Sequence, residues 1–370
     1  MSSARPVLSA RTLGITLVLA LPLLVLLSVR VGVTGVLDLS QTIEGVAAAL
    51  GLGAPLAERS QVIVELRLWH ALTAAGVGGA LALSGVFIQG LFRNGLAAPS
   101  VIGVTGGATL GASAAILLMS GYGPAFLTAA ADPHGPALAT LRHAGLLTLM
   151  VPAFGFVGAV GVVFLVAALS SRAGRVSVPT LLLTGIAVNT CIAGVLSLVS
   201  SLVLDDWDVS RAIYVWTFGT LADRSVYHVL TVWSGLALAV AVVPFVAWEL
   251  DLLAGGEEDA SSLGVDVKKV RLLSIGAAAL AAASAVAVAG QIAFLGLVVP
   301  HLLRMLSGAR HRSLLPLAIP GGAVFLVGIE LLNHTFLADH ALRPGVVMSL
   351  VGGVFFLCLL GFNRREVDQW

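Results

Sequence analysis

Residues 255–271, GGEEDASSLGVDVKKVR, hold Glu257, Glu258, Asp259, Asp266, Lys268, Lys269 and Arg271, the densest charge in the chain. The order of signs has consequences. Glu257, Glu258 and Asp259 favour a helix start, Gly264 can end that helix, and the bases can anchor the next segment at a charged boundary. The alternative is a solvated loop that only sets topology. Elsewhere, chemistry-bearing groups are dispersed. Histidine is a common metal ligand, and His70 and His334 invite that reading, but they come from distant segments with no ligand-spacing motif, so no metal site is assigned. His134, His143, His228, His301, His311 and His340 are spread along loops and segment ends. No G-x-x-x-x-G-K-[ST] run occurs, and GVGG at 76–79 follows no strand, so neither supplies a phosphate-binding loop. No nucleophile–base set converges, which argues against an enzyme.

The elements that must carry these residues follow from composition. The chain has 370 residues, 58% hydrophobic and 11% charged, whereas soluble domains average about 45–50% and about 25%. Such a chain needs lipid as its solvent, and lipid-exposed backbone must bond internally. The apolar runs are long and lack a period of two, so the expectation is an all-α, polytopic helical membrane protein, one domain over 1–370. Ten spans of suitable length are predicted: 12–32, 66–92, 101–120, 144–170, 180–204, 228–249, 271–291, 294–306, 313–337 and 345–363. The eighth is too short to cross unaided, with a break expected between Gly290 and Gly296. The N-terminal run lacks a clear cleavage site and reads as an uncleaved first span.

Lysine and arginine set orientation. With the N-terminus cytoplasmic, Arg5, Arg11, Arg93, Arg172, Arg175, Lys268, Lys269, Arg271, Arg304, Arg310, Arg312, Arg364 and Arg365 lie inside. Arg30, Arg59, Arg67, Arg142, Arg211, Arg224 and Arg343 lie outside, with the acids Asp132, Asp205, Asp206, Asp208 and Asp339. Both termini are then cytoplasmic. A net charge of +1 gives no basic stripe for a nucleic acid. Cys191 and Cys358 both sit in apolar runs and suggest no disulfide. Gly103, Gly107 and Gly111 recur at every fourth position, a helix-packing pattern. Thr184, Asn189, Thr190 and Ser197 lie along the fifth span; a polar group in lipid is costly unless bonded.

The segment LRLWHALTAAGVGGALALSGVFIQGLFRNGLAAPSVIGVTGGATLGA, 66–112, resembles the permease subunits of iron–siderophore, haem and cobalamin ABC importers. Ser84, Gly85, Gln89, Arg93, Asn94, Leu96, Ala97, Pro99 and Gly103 stand in the places of that family's motifs. LLLTGIAVNT (181–190), VWTFGTLADRS (215–225), SLGVDV (262–267), AVAVAGQIAFLGLVVPHLLRMLSGARHRSLLP (285–316) and RPGVVMSLVGGVFF (343–356) extend the resemblance in order along the chain. Gly95, Gln291 and Val354 replace prolines usual in the family.

The resemblance implies a type II ABC importer permease in a bacterial inner membrane. It implies a second permease copy or a paralogue, two cytoplasmic ATPases carrying ATP and Mg²⁺, and an extracytoplasmic binding protein delivering a metal chelate. This chain itself would bind no cofactor, and its partners would be those proteins, the chelate and lipid. The loop at about 250–270, with Glu257, Glu258, Asp259, Ser262, Leu263 and Gly264, would be the ATPase-coupling surface. Gln89, Arg93, Asn94 and Pro99 would form the inner-end motif. Arg67 matches a binding-protein docking arginine, His70 and His334 replace two others, and Arg343 stands near the last. The fifth span would line the pathway through Thr184, Asn189 and Ser197, although an interhelical hydrogen bond is the alternative for Asn189. A secondary transporter without an ATPase is the other function class; its mark would be ionisable groups deep in the membrane, and Glu330 is the one strong candidate.

Overall fold

The computed structural model describes residues 7–32, 35–120, 147–172, 175–176, 178–337 and 342–362. Arg5, Arg142, Arg364, Arg365, Asp132, Asp339, His134, His143 and His340 lie outside the described residues, as do parts of the fourth and tenth spans. Fourteen α-helices are present among them: α1 (Ala10–Arg30), α2 (Leu39–Ala49), α3 (Glu58–Phe92), α4 (Val104–Met119), α5 (Leu147–Leu169), α6 (Val178–Leu202), α7 (Trp207–Thr217), α8 (Val226–Val240), α9 (Val243–Leu253), α10 (Glu257–Ser262), α11 (Val267–Ala289), α12 (Leu295–Ser307), α13 (His311–Phe336) and α14 (Pro344–Phe362). Six helices are long and apolar enough to cross a membrane, and the pair α8–α9 makes a seventh. Three shorter apolar helices, α4, α12 and α14, bring the apolar segments to ten.

The departures from the sequence reading have local causes. Helix α3 begins at Glu58 rather than 66, because Gln61, buried, donates to the Gly45 carbonyl at 3.2 Å and to Glu65 Oε1 at 2.9 Å and so carries a polar turn onto the apolar run. At about 1.5 Å per residue the whole helix is about 52 Å long, well beyond a bilayer core. The sixth span is two helices bent by 56°, with Pro244 in the first turn of α9, where the ring cannot donate to the preceding turn. Two amphipathic helices too short to span, α2 and α7, escaped hydropathy altogether. Asp206 caps α7 by accepting from the Val209 backbone N–H at 3.2 Å. The expected break falls at 290–294, where Gly290 (φ 70°) and Phe294 (φ 62°) turn the backbone between α11 and α12.

Helix α3 is the centre of the bundle, with 94% of its most apolar window buried, against 11% for α6 at the periphery. It packs on α13, α11, α12 and α8, while α4 packs on α5. Without a hydrophobic drive between helices in lipid, close backbone approach supplies the packing. The expected glycine pattern serves it: a Cβ on Gly107 would lie 2.4 Å from the Gly158 carbonyl oxygen, and one on Gly111 2.0 Å from that of Phe154. The GVGG run is likewise a contact face, Gly76 against Val232 and Trp233, Gly79 against the Ile319 carbonyl.

Candidate functional site

The charged run folds as the sequence predicts. Glu257, Glu258 and Asp259 occupy the first turn of α10, Gly264 (φ 89°) turns the chain after it, and Asp266 caps α11 by accepting from the Lys269 backbone N–H at 3.0 Å. The hydrogen bond from Arg271 Nη2 to Glu257 Oε1, 2.6 Å long, ties α10 to α11. Beside it lies an open groove of about 420 Å³ walled by Phe245, Trp248, Leu252, Leu263, Lys269 and Leu273. Phe245, Trp248 and Leu263 are exposed, so the groove joins an apolar floor to a charged rim. Ser262 closes its own helix, donating to the Glu258 carbonyl at 2.7 Å.

The same end of the bundle carries the inner-end motif. Gln89, buried, donates from Nε2 to the Gly296 carbonyl at 3.2 Å and accepts from Arg304 through Oε1. Arg93 ends α3 in the left-handed region (φ 51°), and Asn94 Oδ1 accepts from the Leu96 N–H at 2.8 Å. Pro99 opens the short 3₁₀ turn Pro99–Ile102, where its missing N–H costs nothing. This motif is a folded turn locking α3 to α12. Asp251 of α9 reaches the start of α13, accepting from the His311 backbone N–H at 2.5 Å and lying 3.0 Å from His311 Nδ1.

At the opposite end, Arg67 donates to the carbonyls of Val29 and Arg30 at 3.0 Å and of Gly35 at 2.9 Å, stapling the hairpin after α1 to α3. One turn on, His70 Nδ1 lies 3.0 Å from the Leu221 carbonyl oxygen. Its Nε2 stands 3.3 Å from Glu330 Oε2, and the His334 ring centroid is 5.2 Å from that of His70. The two histidines that looked isolated in sequence are therefore neighbours around one buried acid. The i, i+4 spacing of Glu330 and His334 on a helix was the available signal. Arg343 Nη1 donates to the Val215 carbonyl at 3.3 Å, at the end of α7. In the nearby loop, burial pushes Arg224 down to about 10, partly opposed by Asp223.

On α6, Asn189 Nδ2 donates to the Ser100 carbonyl at 3.0 Å, the interhelical bond expected as its alternative role. Ser197, exposed, donates to the Ala193 carbonyl at 2.9 Å, and Thr184 is half-buried. A cavity of about 180 Å³ lies between the 3₁₀ turn and the 290–294 break, lined by Pro99, Ser100, Thr105, Gln291 and Phe294. Two interrupted backbones thus face each other inside the bundle.

Residues 13–361 match the FecCD transport family. The chain is 36% identical over 322 residues to the cobalamin import system permease protein BtuC of Halobacterium salinarum, covering 87% of this chain and 78% of that protein. It is 38% identical over 307 residues to the hemin transport system permease protein HmuU of Yersinia pestis, covering 82% and 84%. A solved metal-chelate type ABC transporter in an inward-facing conformation aligns with a TM-score of 0.72 at 28% identity, over 95% of this chain and 99% of that one.

Proposed function

The chain belongs to the FecCD transport family, and on that premise we propose that it is the membrane permease of an ATP-driven importer of a metal chelate. Hydrolysis of ATP–Mg²⁺ takes place on two separate cytoplasmic ATPases, and this chain turns their closure into alternating access. A second copy or a paralogue completes the pathway along α6, whose outward face carries exposed Leu183, Ile186, Leu198 and Leu202. An extracytoplasmic binding protein docks at the end holding Arg67, His70, His334 and Arg343, and both termini lie in the cytoplasm of a bacterial cell. Relatives named for cobalamin and for hemin support the class of a metal-centred chelate, to which iron–siderophore complexes also belong.

The observation that carries this reading is the pairing of α10 with the apolar groove beside it. A separate motor needs a surface that is both shaped and charged, and exposed Leu263 beside Glu257 and Glu258 offers one. A secondary transporter is less well supported: Glu330 stands about two turns from the end of α13, and one shallow acid makes no chain of acids across the bundle among the described residues. The test is reconstitution with the neighbouring ATPase in liposomes. ATP-dependent uptake that disappears in a Glu257→Lys, Glu258→Lys double variant, with the permease still folded, is the expected result. Uptake driven by an ion gradient without any ATPase would overturn the reading.

A further inference from the structure

We propose that His70, Glu330 and His334 form a binding site for a divalent transition-metal ion of borderline softness, Zn²⁺ foremost, clamping α3 to α13. One ligand atom from each residue lies within 4.8 Å of the other two, and a tetrahedral ion with bonds of about 2.0–2.1 Å draws such atoms to about 3.3 Å. Two imidazoles and one carboxylate suit Zn²⁺, Co²⁺ or Ni²⁺ better than Mg²⁺ or Ca²⁺, which prefer all-oxygen shells. Three protein ligands leave a fourth position for water or an incoming group.

The second observation is the state of the polar atoms. Glu330 is only 2% exposed, and its Oε1 has no hydrogen-bond partner; the buried Nε2 of His70 has none either. Although Nε2 lies within ion-pair distance of Oε2, the pair lacks hydrogen-bond geometry. A bond from Nδ1–H to the Leu221 carbonyl places a proton on Nδ1, so in the neutral ring the lone pair is on Nε2 and faces a carboxylate. In that form two electron-rich groups face each other, an arrangement that a cation between them relieves. That outer carbonyl is also the kind of partner that orients metal-ligating histidines. Arg67 is a fixed positive charge three residues before His70. It donates to the carbonyls of Val29, Arg30 and Gly35.

The test uses the full chain in detergent, stripped with chelator and titrated with Co²⁺ and Zn²⁺. The parent should take up one tight equivalent per chain, with the visible absorption of four-coordinate Co²⁺, displaced by Zn²⁺. Glu330→Gln and His334→Ala should each weaken Zn²⁺ at least about tenfold and change that spectrum, while His311→Ala, a histidine at the far end, should leave both unaltered. Glu330→Gln keeps the shape of the site, and the parent spectrum alone reports imidazole and carboxylate ligation should the other variant misfold. A parent that binds no Co²⁺ or Zn²⁺ at micromolar concentrations, or variants that bind as the parent does, would overturn the site.

Discussion

Gly78 of α3 and Gly322 of α13 face each other so closely that a Cβ on Gly78 would lie 2.2 Å from the Gly322 carbonyl oxygen, and one on Gly322 2.1 Å from that of Gly78. The obstacle in both cases is backbone, which cannot swing aside as a side chain can. Gly78→Ala should therefore force the two central helices apart and destabilise by about 1–3 kcal/mol. Gly276→Ala on α11, where nothing lies within 4 Å, is the control and should gain up to about 1 kcal/mol. Thermal unfolding in detergent distinguishes them, and equal midpoints would show that the α3–α13 contact yields freely.

Asp251 caps a helix that is not its own. Asp251→Ala strands the first N–H of α13 and should cost about 1–2 kcal/mol, the scale of a lost helix cap. Asp251→Asn keeps an acceptor oxygen and should cost less. Unfolding midpoints ordered the other way would mean that charge, not acceptance, is the stabilising part.

Glu257 is half-exposed, and its pair with Arg271 is worth no more than about 1 kcal/mol. Glu257→Lys should leave the unfolding midpoint nearly unchanged while weakening co-purification of the ATPase. Leu263→Asp, which adds charge to the apolar floor, should weaken it further. Undiminished co-purification in both variants would place the motor elsewhere.

Arg67 separates two roles. Arg67→Ala removes the donors of three carbonyls and should loosen the hairpin, seen as faster amide exchange across 29–36 and a stability loss of about 1–3 kcal/mol. If Arg67 also meets acids on a binding protein, Arg67→Lys should restore much of the affinity for it but little of the protection. Full recovery of both by lysine would show that charge alone serves each role.

Metal uptake should depend on pH with a definite sign. His70 and His334 must be neutral to ligate, so protons compete with the metal and affinity falls as the solution becomes more acidic. Zn²⁺ affinity that is flat from pH 8 to pH 5.5 would exclude the histidines as ligands.

The sequence by itself determined what depends on local composition. Apolar runs longer than a bilayer core left helices in lipid as the solution, and their order, the break at Gly290 and the caps around α10 were legible because each is decided within a few residues. The glycines at 103, 107 and 111 announced a contact face, although not the partner. Only the tertiary structure decided which helices meet: α3 reached the centre because Gly78 and Gly79 admit the backbone of α13, Gly85 that of α12, and Gly76 the Val232 and Trp233 side chains of α8. Where α3 begins was hidden because buried Gln61 finds its acceptor on Gly45, sixteen residues away. The same holds for the site at the end of the bundle. His70 and His334 are separated by most of the chain, and hydropathy treats each as an isolated polar residue. Packing of α3 on α13 places them beside Glu330, and side chains from two helices become one constellation only when the helices have a fixed rotation and register.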